Sequence, residues 1–149
     1  MFDKNQEIPI GSDHGGYSMK SYLIRILTES GYRFKDFGTH SEESVDYPDF
    51  IHPLANAIDN GKYELGIIIC GSGNGAQMTA NKHKNVRAAL CWNEEITELA
   101  RLHNDANIIS LPGRFLDFEF AYKLVTIFLQ TEFEGGRHIR RIEKMAGKN

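Results

Sequence analysis

A short apolar run, Leu65-Gly-Ile-Ile-Ile-Cys70, ends at a cysteine and passes directly into Gly71-Ser-Gly-Asn-Gly75. Such a run has the pattern of a strand buried on both faces. Glycines at every second position let the backbone turn sharply with its N–H groups exposed. Ala76 to His83 then reads as the start of a helix. A thiol at a strand's carboxyl end, beside a nest of amide donors, suits a site that stabilises an anion. The same pattern also fits a nucleotide loop with an incidental cysteine, so the rest of the chain has to decide.

The alternation around this run extends along the whole chain. Glu7 to Ser12 reads as a first strand, and Met19, Tyr22, Leu23, Ile26 and Leu27 follow at helical spacing until Gly31. Arg33 to Phe37 is a second strand, and a helix carrying Ile51, Leu54, Ala55 and Ile58 runs to Gly61. Leu65 to Cys70 is the third strand, Val86 to Trp92 the fourth and Asn107 to Leu111 the fifth. A helix with Ile96, Leu99, Ala100 and His103 on one side lies between the last two. Phe118 to Leu129 is a strongly apolar helix, and a basic helix follows Gly135-Gly136 to about Lys144. Five βα units with short links predict one domain over residues 1–149: a three-layer α/β/α sandwich around a five-stranded parallel sheet, order 2-1-3-4-5. The basic helix is left over, free to pack across a partner or over a site.

Composition narrows the function classes. A chain of 149 residues with 41% hydrophobic and 25% charged residues suits a single globular core. A net charge of -3 implies no broad attraction to nucleic acid or to a membrane surface. The local exception is Arg137, Arg140, Arg141, Lys144 and Lys148 at the C-terminus. No basic, apolar leader and no run near the ~20 residues of a membrane span can be read, which predicts a cytoplasmic protein. Cys70 and Cys91 each end a strand, and two such cysteines predict no disulfide framework.

In an open parallel sheet, ligands sit beyond the carboxyl ends of the strands, at the point where strand order reverses. Asp13 and His14 follow strand one, Cys70 and Ser72 strand three, Asn93 strand four and Arg114 strand five. Strands one and three would be neighbours, with Asp13 and His14 beside Cys70. Most strand cysteines are small buried hydrophobes. The alternative for Cys70 is a base or nucleophile, since a helix N-terminus lowers a thiol's pKa from about 8.5. Cys91 lacks a glycine nest and is assigned to the core. Gly71 to Ala76 also matches G-x-G-x-x-A, with Glu94 and Glu95 as candidate ribose ligands, but the loop follows the third strand rather than the first. Asp13 could simply cap a helix. His103, on an apolar stripe, is by default a satisfied core histidine, although Asn104 and Asp105 beside it make a polar cluster. Arg137 and Arg141, four apart on one face, form either a solvated surface or, with Arg114, a phosphate clamp. Tyr47 could serve only to pack.

Six segments in order resemble the ribose-5-phosphate isomerase B family, relatives of the galactose-6-phosphate isomerase subunits. They are Gly11-Ser-Asp-His-Gly-Gly16, Asp46-Tyr-Pro48, Ile69-Cys-Gly-Ser-Gly-Asn-Gly75, Ala80-Asn-Lys82, His103-Asn-Asp105 and Glu134-Gly-Gly-Arg-His138, and they cover residues 7 to 145. The resemblance implies a flavodoxin-like sandwich and reversible aldose–ketose isomerisation of a sugar phosphate. No metal or organic cofactor is expected. It also implies a homodimer whose sites draw on both subunits, with a tetramer left open. By position, Cys70 would move a proton between C1 and C2. Backbone N–H groups of Gly71, Ser72, Gly73, Asn74, Gly75 and Ala76 would hold the enediolate oxygen. His103 would open the furanose ring, with Asp13 and Ser72 shuttling protons. Asn104 and Tyr47 would meet the sugar hydroxyls, and His14, Arg114, Arg137 and Arg141 the phosphate. One branch of the family uses a glutamate on the glycine loop as its base. Here that position is Ala76, which leaves Cys70. Hexose 6-phosphates such as allose or galactose, and a ligand-binding domain without catalysis, remain the alternatives.

Overall fold

The computed structural model describes residues 1–147, so Lys148 of the basic C-terminal group lies outside the described residues. Five parallel strands form one sheet: β1 (Glu7–Ser12), β2 (Arg33–Asp36), β3 (Gly66–Cys70), β4 (Ala88–Leu90) and β5 (Ile108–Pro112). The helices are α1 (Tyr17–Glu29), α2 (Tyr47–Asp59), α3 (Asn74–Ala80), α4 (Glu94–Leu102), α5 (Phe118–Gln130) and α6 (Arg137–Met145). A single 3-10 turn, His14–Gly16, leads from β1 into α1.

The strand order is β2-β1-β3-β5-β4, which corrects the expected 2-1-3-4-5 at its far edge. The residues of the two strands explain the exchange. All five residues of β5 are buried, as an interior position requires, whereas β4 has three residues and two are only half-buried. Right-handed crossovers then fix the faces. Steps toward the β4 edge put α2 and α3 on one face, and the backward steps put α1 and α4 on the other, where α5 joins them. Each face holds its own core. Ile67 and Ile69 pack with Leu23, Leu27, Val125 and Phe128 on the α1/α5 face. Ile68 and Cys70 pack with Ile51, Leu54, Ala76 and Ala80 on the α2/α3 face. The period-2 pleat of one buried strand thus points Cys70 at the helix that its own glycine loop begins.

The exposed edge of β4 is closed by side chains from α3 and its C-cap residue. Asn81 Oδ1 accepts from Ala88 N at 2.7 Å, and Asn81 Nδ2 donates back to Ala88 O at 2.9 Å. Gln77 Nε2 donates to the same carbonyl at 3.1 Å. An amide side chain here takes the place of a neighbouring strand, which blunts an edge that could otherwise pair with another chain. Among the described residues, no helix is long and apolar enough to cross a membrane.

Candidate active site

The first half of the site is assembled at the carboxyl ends of β1, β3 and β5. Insertion of β5 next to β3 is what brings Arg114 to the cysteine loop. Gly113 N donates to Cys70 O at 2.9 Å, and Arg114 N donates to Gly71 O at 3.0 Å. The Arg114 guanidinium then spans two glycine turns. A Cβ at Gly71 would lie 3.1 Å from its Nη1, and one at Gly15 would lie 3.4 Å from its Nη2 and 3.3 Å from Asp13 Oδ1. Asp13, Gly15, Gly71 and Arg114 therefore form one cluster, with the buried Cys70 beneath it.

Asp13 does cap, as the plainer reading held: its Oδ1 accepts from Gly16 N at 3.1 Å. It is also buried beside Arg114, so capping fixes it in the cluster rather than removing it. His14 Nδ1 accepts from Val45 N at 3.2 Å. In the neutral ring this puts the proton on Nε2, a donor turned away from that contact. Ser72 Oγ accepts from both Asn74 N and Asn74 Nδ2 at 3.3 Å, closing the turn before α3.

The glycine loop is constrained by contact. Gly73 has φ +77°, and a Cβ there would sit 2.5 Å from Leu90 Cδ1. A Cβ at Gly75 would meet Tyr47 Cζ at 2.5 Å and its hydroxyl at 2.8 Å. Tyr47 is thus seated on the loop rather than packed away from it. The first-turn amides of α3 have no partner within the helix, whose ladder begins with Gln77 N on Gly73 O at 3.0 Å. Gly75 and Ala76 present such N–H groups beside Cys70. Ala76 is buried in the same core cluster as the cysteine, with no carboxylate in its place.

The second half lies at the other end of the sheet. α4 stops at Leu102, and His103 is its half-exposed C-cap, not the core histidine expected from the apolar stripe. The turn after it is held by Asp105, at φ +44°, which pairs with Arg101 at 3.0 Å and with Arg87 at 3.4 Å. Arg87 Nε also donates to Asn104 O at 3.2 Å, leaving the Asn104 side chain exposed. His103 stacks on His138 of α6 with ring centroids 4.3 Å apart. Glu134 Oε2 lies 3.6 Å from Nε2 of each ring. Burial first, then the positive charge of His103 and of Arg137, holds His138 below the ordinary histidine range, against the opposing carboxylate of Glu134. Arg137 and Arg141 stand exposed on the same helix.

The two halves do not meet within one chain. Cys70 pairs with Pro112 at the end of β5, whereas His103 to Asp105 lie in the turn two residues before the start of that strand. The length of β5 alone separates them by about 13 Å at roughly 3.3 Å per residue. Between β4, α3 and α6, next to His103 and Asn104, lies an open groove of about 870 Å³ bordered by Leu90, Trp92, Ile142 and Met145.

Other expectations fare differently. Asn93 lies beyond β5 and caps α4 by accepting from Ile96 N at 2.8 Å, so it does not join the Cys70 cluster. Glu94 pairs with Lys123 at 2.5 Å, and with β4 at the sheet edge neither it nor Glu95 lies at the β1/β3 crevice that a nucleotide loop would need. Cys91 is buried in the core, and burial pushes its thiol up to about 11. Glu134 and His138 carry no role by sequence reasoning, although their i, i+4 spacing before a basic helix was visible.

Comparison with known proteins adds an independent observation. Residues 8–145 match the family described as Ribose/Galactose Isomerase. Ribose-5-phosphate isomerase B of Escherichia coli is 37% identical over 138 residues, covering 93% of each chain. The structure of ribose-5-phosphate isomerase B from Clostridium thermocellum superposes with a TM-score of 0.92 at 45% identity, covering 95% of both chains. That from Mycoplasma genitalium, with bound ribulose-5-phosphate, gives 0.89 at 40% identity and covers 95% of this chain and 94% of the other.

Proposed function

The chain belongs to the ribose/galactose isomerase family, and from that premise we propose that it interconverts ribose 5-phosphate and ribulose 5-phosphate through an enediolate. The observation that carries the reading is the junction of a buried thiol, free first-turn amides and the Arg114 guanidinium at the ends of neighbouring strands. That the similar Mycoplasma genitalium protein holds ribulose-5-phosphate favours the pentose over a hexose 6-phosphate.

In this reading the phosphate is taken by His14 Nε2 and Arg114, which leaves the carbonyl end over the glycine loop. Cys70 as thiolate removes the proton on the carbon next to the carbonyl and returns it to the neighbouring carbon. The negative charge that develops on oxygen meets the Gly71 to Ala76 amides. Pre-aimed donors of this kind are worth roughly 3–4 kcal/mol each when one is lost. Tyr47 and Asn104 contact hydroxyls, and Ser72 and Asp13 relay protons. A ligand-binding domain without catalysis would need neither a thiol at this junction nor a histidine aimed at a sugar ring.

We place His103, Asn104, Arg137 and Arg141 in the site of a second copy of this chain. The support is the strand's length between the two halves, together with the apolar groove and exposed Trp92 and Met145 beside the second half. A two-fold dimer pairs such halves reciprocally and generates two sites. Arg114 then comes from the chain that carries Cys70, and Arg137 and Arg141 come from its partner.

A coupled assay of ribose 5-phosphate against allose and galactose 6-phosphates tests the substrate. Run with Cys70→Ala, it should show lost turnover with sugar-phosphate binding retained; turnover at the wild-type rate would remove Cys70 as the base.

A further inference from the structure

Glu134 and His138 converge on His103 but carry no role of their own in the reaction as described above. Their ligand atoms with that of His103 lie within 4.8 Å of one another, a grouping that could suggest a metal ion. The ring planes speak against one: inclined by only 14°, two stacked imidazoles direct their lone pairs side by side. They cannot both point at one ion about 2.0–2.1 Å away. The arrangement suits a proton instead.

We propose that Glu134 and His138 are positioning residues that seat His103 for opening the sugar ring. This rests on the isomerase reading above. His103 caps a helix end and is half-exposed, and the terminal torsion of a histidine is broad and roughly two-fold when nothing restrains it. The stacked, buried ring of His138 fixes its plane, and Glu134 faces its Nε2 edge. That leaves Nδ1, which makes no hydrogen bond among the described residues, as the nitrogen for the sugar. Glu134 N donates to Leu102 O at 3.1 Å, so the carboxylate is tied to the helix end that carries His103. The charged groups around the pair are Glu134, Arg137 and Arg141 from the α6 side, and Arg87, Arg101 and Asp105 from the turn. Burial and the neighbouring positive charges hold His138 below the ordinary histidine range, which favours its neutral form. In ring opening the bond from C1 to the ring oxygen breaks and its electron pair goes to that oxygen. The oxygen takes a proton from His103, and the C1 hydroxyl gives its proton to Asp13 as the carbonyl forms.

Ribulose 5-phosphate separates this step from enolisation. Its carbonyl is at C2 and its C5 oxygen is esterified, so it has no furanose to open. Exchange of its C1 hydrogen with D2O, followed by NMR, reports enolisation at Cys70 without ring opening. For Glu134→Gln, kcat from ribose 5-phosphate should fall roughly tenfold or more, part of the 10²–10⁴ a general acid supplies, with KM and C1 exchange within about twofold of wild type. Glu134 is 58% exposed in its side chain, so the variant keeps its fold. His138→Phe, which keeps a stacked ring, should lose less than His138→Ala. Unchanged kcat in Glu134→Gln, or C1 exchange that falls in step with kcat, would overturn the proposal. A wild-type protein that exchanges no C1 hydrogen would overturn this and the isomerase reading together.

Discussion

Arg114 is bound to Gly71 twice over: its backbone N–H donates to the Gly71 carbonyl at 3.0 Å, and its guanidinium lies across the face where a Gly71 side chain would stand. The first contact continues the β3/β5 pairing by one residue past the strands. The second places a cationic fork directly over the turn that follows the cysteine, where an anion can be bound bidentately.

Gly71→Ala should therefore weaken substrate binding more than it weakens the fold. The new methyl would meet Nη1 at 3.1 Å and Cδ and Cζ at 3.4 Å, all on a side chain that can move. We expect a KM for the sugar phosphate raised several-fold and a melting temperature within a few degrees of wild type. Steady-state kinetics and a thermal melt on the same preparation check both.

Tyr47 and Gly75 make a sharper steric pair. A methyl at Gly75 would lie 2.5 Å from Tyr47 Cζ, and a rigid ring at a helix start cannot yield as an arginine can. Gly75→Ala should destabilise the protein by about 1–3 kcal/mol, the usual cost of overpacking. In a Tyr47→Ala background the same change should cost much less. Urea melts of the four proteins give the coupling energy, and additive effects would show that the ring does not rest on the loop.

The buried Cys91 thiol should leave a signature in the pH dependence of stability. Burial raises the Cys91 thiol to about 11 from an ordinary 9.0, so the folded state holds its proton where the unfolded state has lost it. That contribution is fully present below about pH 9 and is lost as pH rises through about 11. Between those values one retained proton makes stability fall by at most roughly 1.4 kcal/mol for each step of one in pH. Cys91→Ala should flatten the decline in stability across that window. Equilibrium melts at pH 8, 9.5 and 10.5 provide the comparison.

Much of the fold was legible because it is written in short-range patterns. Glu7–Ser12 is the strand the sequence predicts, and the helix from Phe118 follows its apolar stripe to within a residue or two. The exchange of β4 and β5 was not legible, because strand order depends on which strand can be buried on both faces. Ala88 to Leu90 and Ile108 to Pro112 differ in that respect only once packed. The first half-site was visible for the same reason as the strands: Asp13, Cys70 and Arg114 each stand at or just past a strand's carboxyl end. Periodicity alone misplaces His103 in the core, because helical spacing continues the apolar stripe by one position while the helix itself ends at Leu102 and turns through Asp105. Its partners Glu134 and His138 are some thirty residues away, beyond any local pattern. Nor does spacing reveal that a strand's length divides the two halves of the site.

That division gives the most direct test of the account, in which each site joins Cys70 of one chain to His103 of another. Cys70→Ala and His103→Ala should each be inactive alone. Mixed, unfolded and refolded together in equal amounts, they should recover about a quarter of wild-type activity, since half the dimers are mixed and each holds one intact site. A mixture as inactive as its components would contradict the account and place both residues in a site within one chain.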